Sequence, residues 1–416
     1  MAAKKLKGVI LSVEDTIMNM NELNEAVFEE VRKLMTFFKL RDIKPVLLAN
    51  QARTIKIDNG PEQDLYDYLD EQFPELTIFT RLRDPKIEPK PRKAATQYVL
   101  KEMNWESNEV VYLGSSDDDM RTALNGGILF LRATWYSNNT AYGFEFSEPK
   151  EVARFIDTLC LRKHFWSHEI VDGEFEYYAL APFSTLKPSL KNYSQHAKAA
   201  AKFGHGQVDF WLGALVTSMY FTGIHQRIDY IAAYPGHSAG VGNDRMNSDL
   251  MTFGQCFNKA YLHNLIERYE TAVKSQTARI NNTFLDHHNQ LSTIKLNRLP
   301  NRNYKKPYKK PPLYKGKTVL VVDDFCTKGW SLDTARKYIE QTKAKTILVT
   351  WLKTINTNYC SIGPMKRFNP YAENKFLGVP MGKEYNYHTY HVDGIASEEL
   401  NETLAQYLNW DWPNGL

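Results

Sequence analysis

VLVVDDFCTKGWSLDTARKYI, residues 319–339, decides the fold. Its opening run, Val319 to Val322, is uninterruptedly apolar, as expected of a strand buried on both faces. The strand is predicted to end in Asp323 and Asp324, to turn through Thr327, Lys328, Gly329, Trp330 and Ser331, and then to enter a helix. A strand that leads through a small-residue turn into a helix N-terminus aims backbone N–H groups and hydroxyls at one spot, which favours a phosphate dianion. Thr327, Ser331 and the Gly329 backbone are the expected cradle. Asp323 and Asp324 lie where open α/β sheets place their ligands, and their carboxylates accept hydrogen bonds from vicinal sugar hydroxyls. The bland alternative is an ordinary strand-turn-helix with an Asp-Asp cap. The order apolar run, acid pair, Thr-x-Gly-x-Ser argues against it.

Outward from this segment, Ile228 to Ala233 and Thr346 to Thr350 read as further strands with helical stretches between them. The N-terminal part repeats the alternation: Gly8 to Leu11, Pro45 to Ala49 and Val110 to Leu113 are short apolar runs separated by amphipathic stretches. The fold class is therefore α/β, two tandem Rossmann-like domains with mainly parallel sheets. Their bounds are set at 1–162 and 163–416. No Pro/Gly-rich linker marks the boundary near Cys160 to Glu169, so the two domains are expected to touch. No internal repeat is found.

A chain of 416 residues exceeds one ordinary hydrophobic core, which fits two domains. Hydrophobic residues at 43% and charged residues at 24% are those of a folded protein rather than a disordered one. The formal charge of +4, from 52 basic and 48 acidic residues, is too small to imply a nucleic-acid partner for the whole molecule. No run approaches the roughly 18 apolar residues of a membrane span, and the start, MAAKKLKGVILSVEDT, runs into a strand pattern without a cleavable signal. A cytoplasmic location with no membrane contact is expected. Cys160, Cys256, Cys326 and Cys360 lack the paired spacings of zinc or redox sites.

The 319–339 segment resembles the motif by which type I phosphoribosyltransferases bind phosphoribosyl pyrophosphate (PRPP). Lys328 and Trp330 depart from the commonest residues, and the Trp330 ring could cover a ligand. The resemblance implies PRPP or a related ribose 5-phosphate nucleotide as ligand, Mg²⁺ with it, and chemistry at the anomeric carbon. The metal ligands stay unknown. It also implies a pyrophosphate loop after an earlier strand, here Tyr234 to Gly242, with Gly236, His237 and Ser238 as the contacting residues. An ordinary Pro-Gly turn would look the same. Thr277-Ala278-Arg279, Asn289 to Ser292 and Asn297 resemble relatives found in competence operons. That likeness implies that Arg279 to Lys317 contains a mobile loop whose lysines neutralise the departing pyrophosphate.

The N-terminal part resembles the haloacid dehalogenase-like superfamily, whose Asp-x-Asp-x-Thr pattern is matched in position by Ser12, Glu14 and Thr16. Asn50, Lys90, Ser115 and Asp119 fall at the later motifs. Spacing is kept while the nucleophile is lost, and no histidine precedes residue 161 to activate Ser12. A hard Mg²⁺ site resting on Asp119 would be weak. The expectation is an inactive phosphatase-like domain that serves as a scaffold or binding module.

Three further stretches carry chemistry of their own. Arg298 to Lys317 is basic and proline-rich with interleaved tyrosines, an extended arm whose chemistry suits RNA or single-stranded DNA as well as a catalytic loop. His287 and His288 read as a solvated polar loop rather than metal ligands. Phe175 to Tyr178 and Trp410 to Pro413 read as core, or as an interface in an oligomer. The competing functional reading is a non-catalytic nucleotide sensor, or a nucleic-acid or partner-binding effector of a bacterial stress or antiviral defence system.

Overall fold

The computed structural model describes residues 3–19, 24–56, 61–236, 244–273, 287–392 and 394–414. Two α/β sheets organise them. The first has six parallel strands in the spatial order Thr77–Thr80, Lys44–Ala49, Gly8–Leu11, Val110–Gly114, Leu129–Ala133, Phe144–Phe146. Every residue of Gly8–Leu11 and Val110–Gly114 is buried, as inner strands covered by helices on both faces require. The helix Glu25–Leu40 buries Phe28, Val31, Leu34, Met35 and Phe38 along one stripe, and its N-terminus is capped by Asn24, which accepts from the Val27 N–H.

The second sheet has seven strands in the order Asn301–Arg302, Ala260–His263, Tyr230–Ala233, Thr318–Cys326, Lys345–Thr354, Phe175–Phe183, His168–Asp172. The five inner strands are parallel and the two edges antiparallel. In each sheet the chain builds outward one way and then returns to build the other way. The reversals fall between Gly8–Leu11 and Val110–Gly114, and between Tyr230–Ala233 and Thr318–Cys326. Loops leaving the carboxyl ends of such neighbouring strands diverge to opposite faces and open a crevice, where ligands of open α/β sheets bind.

The predicted α/β class is observed, with two differences of extent. The central strand does not end at the acid pair: Asp323 is paired with Thr350, Phe325 with Leu352 and Cys326 with Lys353, so the strand runs through Cys326. The neighbouring strand likewise continues past Thr350 to Thr354. In both cases ladder pairing outlasts the apolar run.

The two sheets share one hydrophobic core, which extends from Leu6 to Leu404. The helix Val208–Phe221 is apolar almost all round, and only Asp209 and Gly213 escape full burial. Its Tyr220 hydroxyl donates to the carbonyls of Ser107 and Val110 beside the first sheet. The buried Arg162 guanidinium donates to the Ala214 carbonyl and to the Thr217 and Ser218 hydroxyls on the same helix. After the helix Ile395–Leu408, Trp410 and Trp412 return to pack edge-on against Phe37 at 6.1 and 6.5 Å, and Trp410 Nε1 donates to Asp157. These aromatic residues are used within the chain. No helix among the described residues is long and apolar enough to cross a membrane.

Candidate functional site

At the reversal in the second sheet, the turn after Thr318–Cys326 is fixed from below. Lys353 is fully buried on the adjacent strand, and its ammonium donates to the carbonyls of Thr327 and Thr357 and to the Thr357 hydroxyl. The Lys328 carbonyl accepts from the Cys360 N–H at 2.8 Å. With its carbonyls drawn inward, the turn leads into the helix Trp330–Glu340, whose first residues carry no capping side chain. Uncapped first-turn N–H groups are the donors that an anion takes up. Gly329 holds φ +83°, and a Cβ there would meet the Tyr359 ring at 2.3 Å, so only glycine fits.

The expected cradle residues divide. Ser331 lies against the Tyr234 phenol. The Thr327 hydroxyl is paired with that of Thr354 at 3.1 Å. Trp330 opens the helix with the Lys328 ammonium 5.0 Å from its ring centre and the His287 ring 6.4 Å away.

The acid pair stays together near the strand's carboxyl end: the two carboxyl groups are within hydrogen-bond reach of each other, and the Asp324 N–H donates to Asp323 Oδ1 at 2.8 Å. Asp323 sits on the side of Tyr177 and Tyr234, both of which feel its charge. Burial first, and the neighbouring Asp324 carboxylate next, push the Asp323 carboxyl well above the usual range, with Lys202 acting the other way. Asp324 is in ion-pair contact with Lys202 from the helix Pro188–Phe203. Among the described residues no three His, Cys, Asp or Glu side chains cluster to hold a metal. One carboxylate taken by an ammonium and the other driven toward its neutral form do not fit a protein-held Mg²⁺, which needs ionised oxygen ligands.

The neighbouring loop starts from Tyr234, whose N–H donates to the Val322 carbonyl. Arg268 anchors it: Nε donates to the Gly236 carbonyl, while the other nitrogens reach Thr293, Gln290 and the Tyr234 hydroxyl. The Tyr234 hydroxyl is pushed up to about 12 by its burial, against the opposing pull of Arg268. Gly236 thus stands at the crevice, while His237, Ser238 and Thr277 to Arg279 lie outside the described residues.

Residues 256–355 match the family model of the phosphoribosyl transferase domain. This stretch is similar to a phosphoribosyl transferase domain. The match spans the strands Ala260–His263, Thr318–Cys326 and Lys345–Thr354, and with them the turn from Thr327 to Ser331 and Lys353. It leaves out Lys202 and Tyr234. The N-terminal region is similar to solved structures at low scores. One is a HAD-superfamily hydrolase from Geobacter sulfurreducens PCA, 15% identical over 37% of this chain and 100% of that one, with a TM-score of 0.26. Another is an uncharacterised protein from Listeria monocytogenes serotype 4b, 13% identical over 36% and 95% of the two chains, TM-score 0.26. No curated protein shows significant similarity to the chain.

At the reversal in the first sheet lies a cavity of about 490 Å³ lined by six of the seven residues of the motif resemblance, Ser12, Glu14, Asn50, Lys90, Ser115 and Asp119, while Thr16 lies outside the lining. Its chemistry centres on Asp119. One carboxylate oxygen accepts from the Ser12 hydroxyl at 2.8 Å, the Lys90 ammonium at 2.7 Å and the Tyr112 hydroxyl at 3.3 Å. The other accepts from the backbone N–H groups of Ser115 and Ser116 and from the Ser116 hydroxyl. Burial works to raise the Asp119 pKa, but Lys90 outweighs it and the carboxyl is held below its usual range. Burial likewise opposes the charge on Lys90, and Tyr112 and Asp119 overcome it to raise the ammonium. Six donors on two oxygens leave no lone pair for a metal. Glu14 turns to Arg53, and Ser115 donates to the Glu14 carbonyl. Asn50 brackets the Lys90 backbone at both its N–H and its carbonyl.

Two expectations are corrected. Of the expected mobile loop Arg279 to Lys317, residues 279–286 lie outside the described residues, and Arg298 to Lys317 does not lie over the turn from Thr327 to Ser331. From the edge strand Asn301–Arg302 it runs down the sheet, where Tyr304 lies against His263, Tyr308 against Tyr230, and Lys317 pairs with Asp229. It therefore ends at the amino ends of the parallel strands, opposite the crevice. His287 is buried, not solvated. It precedes a helical turn, its Nε2 meets the Val379 carbonyl at 2.7 Å, and the Val379 N–H donates to His288 at 3.0 Å. Together they tie down the segment before the hairpin strand Met381–Tyr385.

Proposed function

We propose that the C-terminal site binds a ribose 5-phosphate ligand, PRPP or a related nucleotide, and acts at its anomeric carbon. The observation that carries this reading is the uncapped helix start after a turn whose Thr327 carbonyl is held by Lys353 and whose Lys328 carbonyl by the Cys360 N–H, set beside Asp323 at the sheet's reversal. The turn from Thr327 to Ser331 anchors the 5-phosphate through backbone N–H groups and the Ser331 hydroxyl. Asp323 accepts the ribose hydroxyls and fixes the sugar. Gly236, whose carbonyl accepts from Arg268, faces the group on the anomeric carbon.

The N-terminal cavity is proposed not to hydrolyse phosphate esters. Ser12 has no histidine base, its hydroxyl is donated to Asp119, and four acidic side chains against two basic ones line the space.

The nucleic-acid reading keeps one support, the exposed and unpaired Lys305, Lys306, Lys309, Lys310 and Lys315 among the described residues. The rings of Tyr304 and Tyr308 already lie against His263 and Tyr230, although Tyr304 stays 45% exposed. Calorimetric titration with PRPP, with and without Mg²⁺, into wild type and Asp323→Asn tests the ribose-phosphate reading. Binding by wild type that the variant weakens supports it, and pyrophosphate release with added bases then separates transferase from sensor. Absence of binding by wild type overturns it, and salt-dependent retention of single-stranded RNA would then favour the arm.

A further inference from the structure

The charge balance at the acid pair is unusual for a site expected to work with a divalent cation. Lys202 places its ammonium on Asp324 Oδ2, while the same nitrogen lies 5.0 Å from the ring centre of Phe325. The lysine comes from the last turn of the helix Pro188–Phe203, which lies outside the matched residues 256–355. The cation is thus supplied by a helix that precedes the matched domain in the chain.

We propose that Lys202 takes the place of a divalent cation at the acid pair, so that this site binds a ribose phosphate bearing pyrophosphate without bound metal. The proposal rests on the ribose-phosphate reading above. A metal at Asp324 would have to displace an ammonium already in contact. A pyrophosphate needs only to attract it. The Lys202 side chain is 44% exposed and Asp324 19%, so the ammonium can rotate from the carboxylate toward an incoming phosphate oxygen without leaving a buried position. Lysine suits this role, being a compact charge on a flexible stem with three donors. As it swings, Asp324 is freed to accept a hydroxyl of the ligand. Lys353 cannot substitute, because its ammonium is spent on Thr327 and Thr357.

The test is calorimetry with PRPP in EDTA and in Mg²⁺, using wild type, Lys202→Met and Lys202→Arg, with ribose 5-phosphate as a second probe. Wild type should bind PRPP with affinities equal to within about twofold in the two buffers. Lys202→Met should bind it about tenfold more weakly in EDTA and regain affinity in Mg²⁺, while Lys202→Arg stays near wild type. Ribose 5-phosphate, which lacks the pyrophosphate, should bind Lys202→Arg like wild type and lose much less affinity than PRPP in Lys202→Met at a pH where Asp323 is ionised, and thereby report an intact turn. Wild-type binding of PRPP that requires Mg²⁺, or a Lys202→Met variant as tight as wild type in EDTA, overturns the proposal. If neither ligand binds wild type in either buffer, the ribose-phosphate reading itself fails and takes this inference with it.

Discussion

The ammonium of Lys353 is hydrogen-bonded to the carbonyl of Thr327, a buried cation on one strand holding the turn that follows its neighbour. The turn's shape is therefore set by a side chain from outside it as well as by its own Gly329. In Lys353→Met the Thr357 carbonyl loses its ammonium donor inside the protein and the Thr327 carbonyl keeps only the Thr357 hydroxyl, at a cost of about 1–3 kcal/mol. Urea unfolding should show that loss, and calorimetry should show ribose 5-phosphate binding weakened by about tenfold or more as the turn relaxes. Full stability with unchanged affinity would mean the turn holds itself.

Gly329 meets Tyr359 in the same turn. Gly329→Ala must place a side chain at φ +83° and against the ring at 2.3 Å. Strain of this kind costs about 1–3 kcal/mol, before the steric clash is counted. A cycle with Tyr359→Ala separates the two effects. The pair should be less destabilised than the sum of the single variants, because the ring is gone while the strain of positive φ persists. Strict additivity in urea unfolding would place Tyr359 out of contact.

In the sequence the acid pair marks the strand's end and Lys353 belongs to no motif, and both have one physical cause. Apolar runs mark where a strand is buried on both faces, and Gly8–Leu11 and Val319 to Val322 are such runs. Where pairing continues beyond the run, as through Phe325 and Cys326, hydrogen bonds to a strand later in the chain hold the backbone, and no local pattern encodes that. Lys353 does leave a trace, a lone charge following the apolar Thr346 to Leu352. His287 leaves none, since its burial depends on Val379, far along the chain. Lys202 is equally silent, one lysine among several in an ordinary helix. The six residues of the first-sheet cavity are legible because motif spacing fixes strand ends, and strand ends converge at the reversal.

Asp119 and Lys90 form a buried pair whose loss is asymmetric. In Asp119→Asn the ammonium remains inside the protein with no carboxylate, which costs about 3–5 kcal/mol. The pH dependence follows from the lowered Asp119 pKa. The folded carboxyl binds protons less tightly than the unfolded one, so its contribution is present above the unfolded value of about 3.9 and is lost as pH falls through the folded value. Wild type should lose stability steeply below about pH 4, and the variant should show a shallower acid limb in urea midpoints measured across pH. Lys90→Met with Asp119→Leu should recover part of the loss, since no charge is then stranded. An identical acid limb in wild type and variant would remove Asp119 from this account.

Asp323 shifts the other way, and the consequence falls on ligand binding. Its carboxyl is raised by burial and by Asp324, so in the free protein it holds a proton to a higher pH than an ordinary aspartate. Ribose hydroxyls donate to a carboxylate, so binding selects the ionised form and expels that proton. Affinity for ribose 5-phosphate should therefore rise with pH, by up to about tenfold per unit, until the folded Asp323 value is passed. The ligand's own phosphate titrates near pH ~6 and adds a slope of its own, which Asp323→Asn retains. The difference between the two proteins isolates Asp323. Calorimetry in buffers of unlike ionisation heat should count about one more proton released by wild type than by the variant. Equal proton counts would mean that the carboxyl stays neutral in the complex and donates to the sugar, reversing the hydrogen bond assigned to it here.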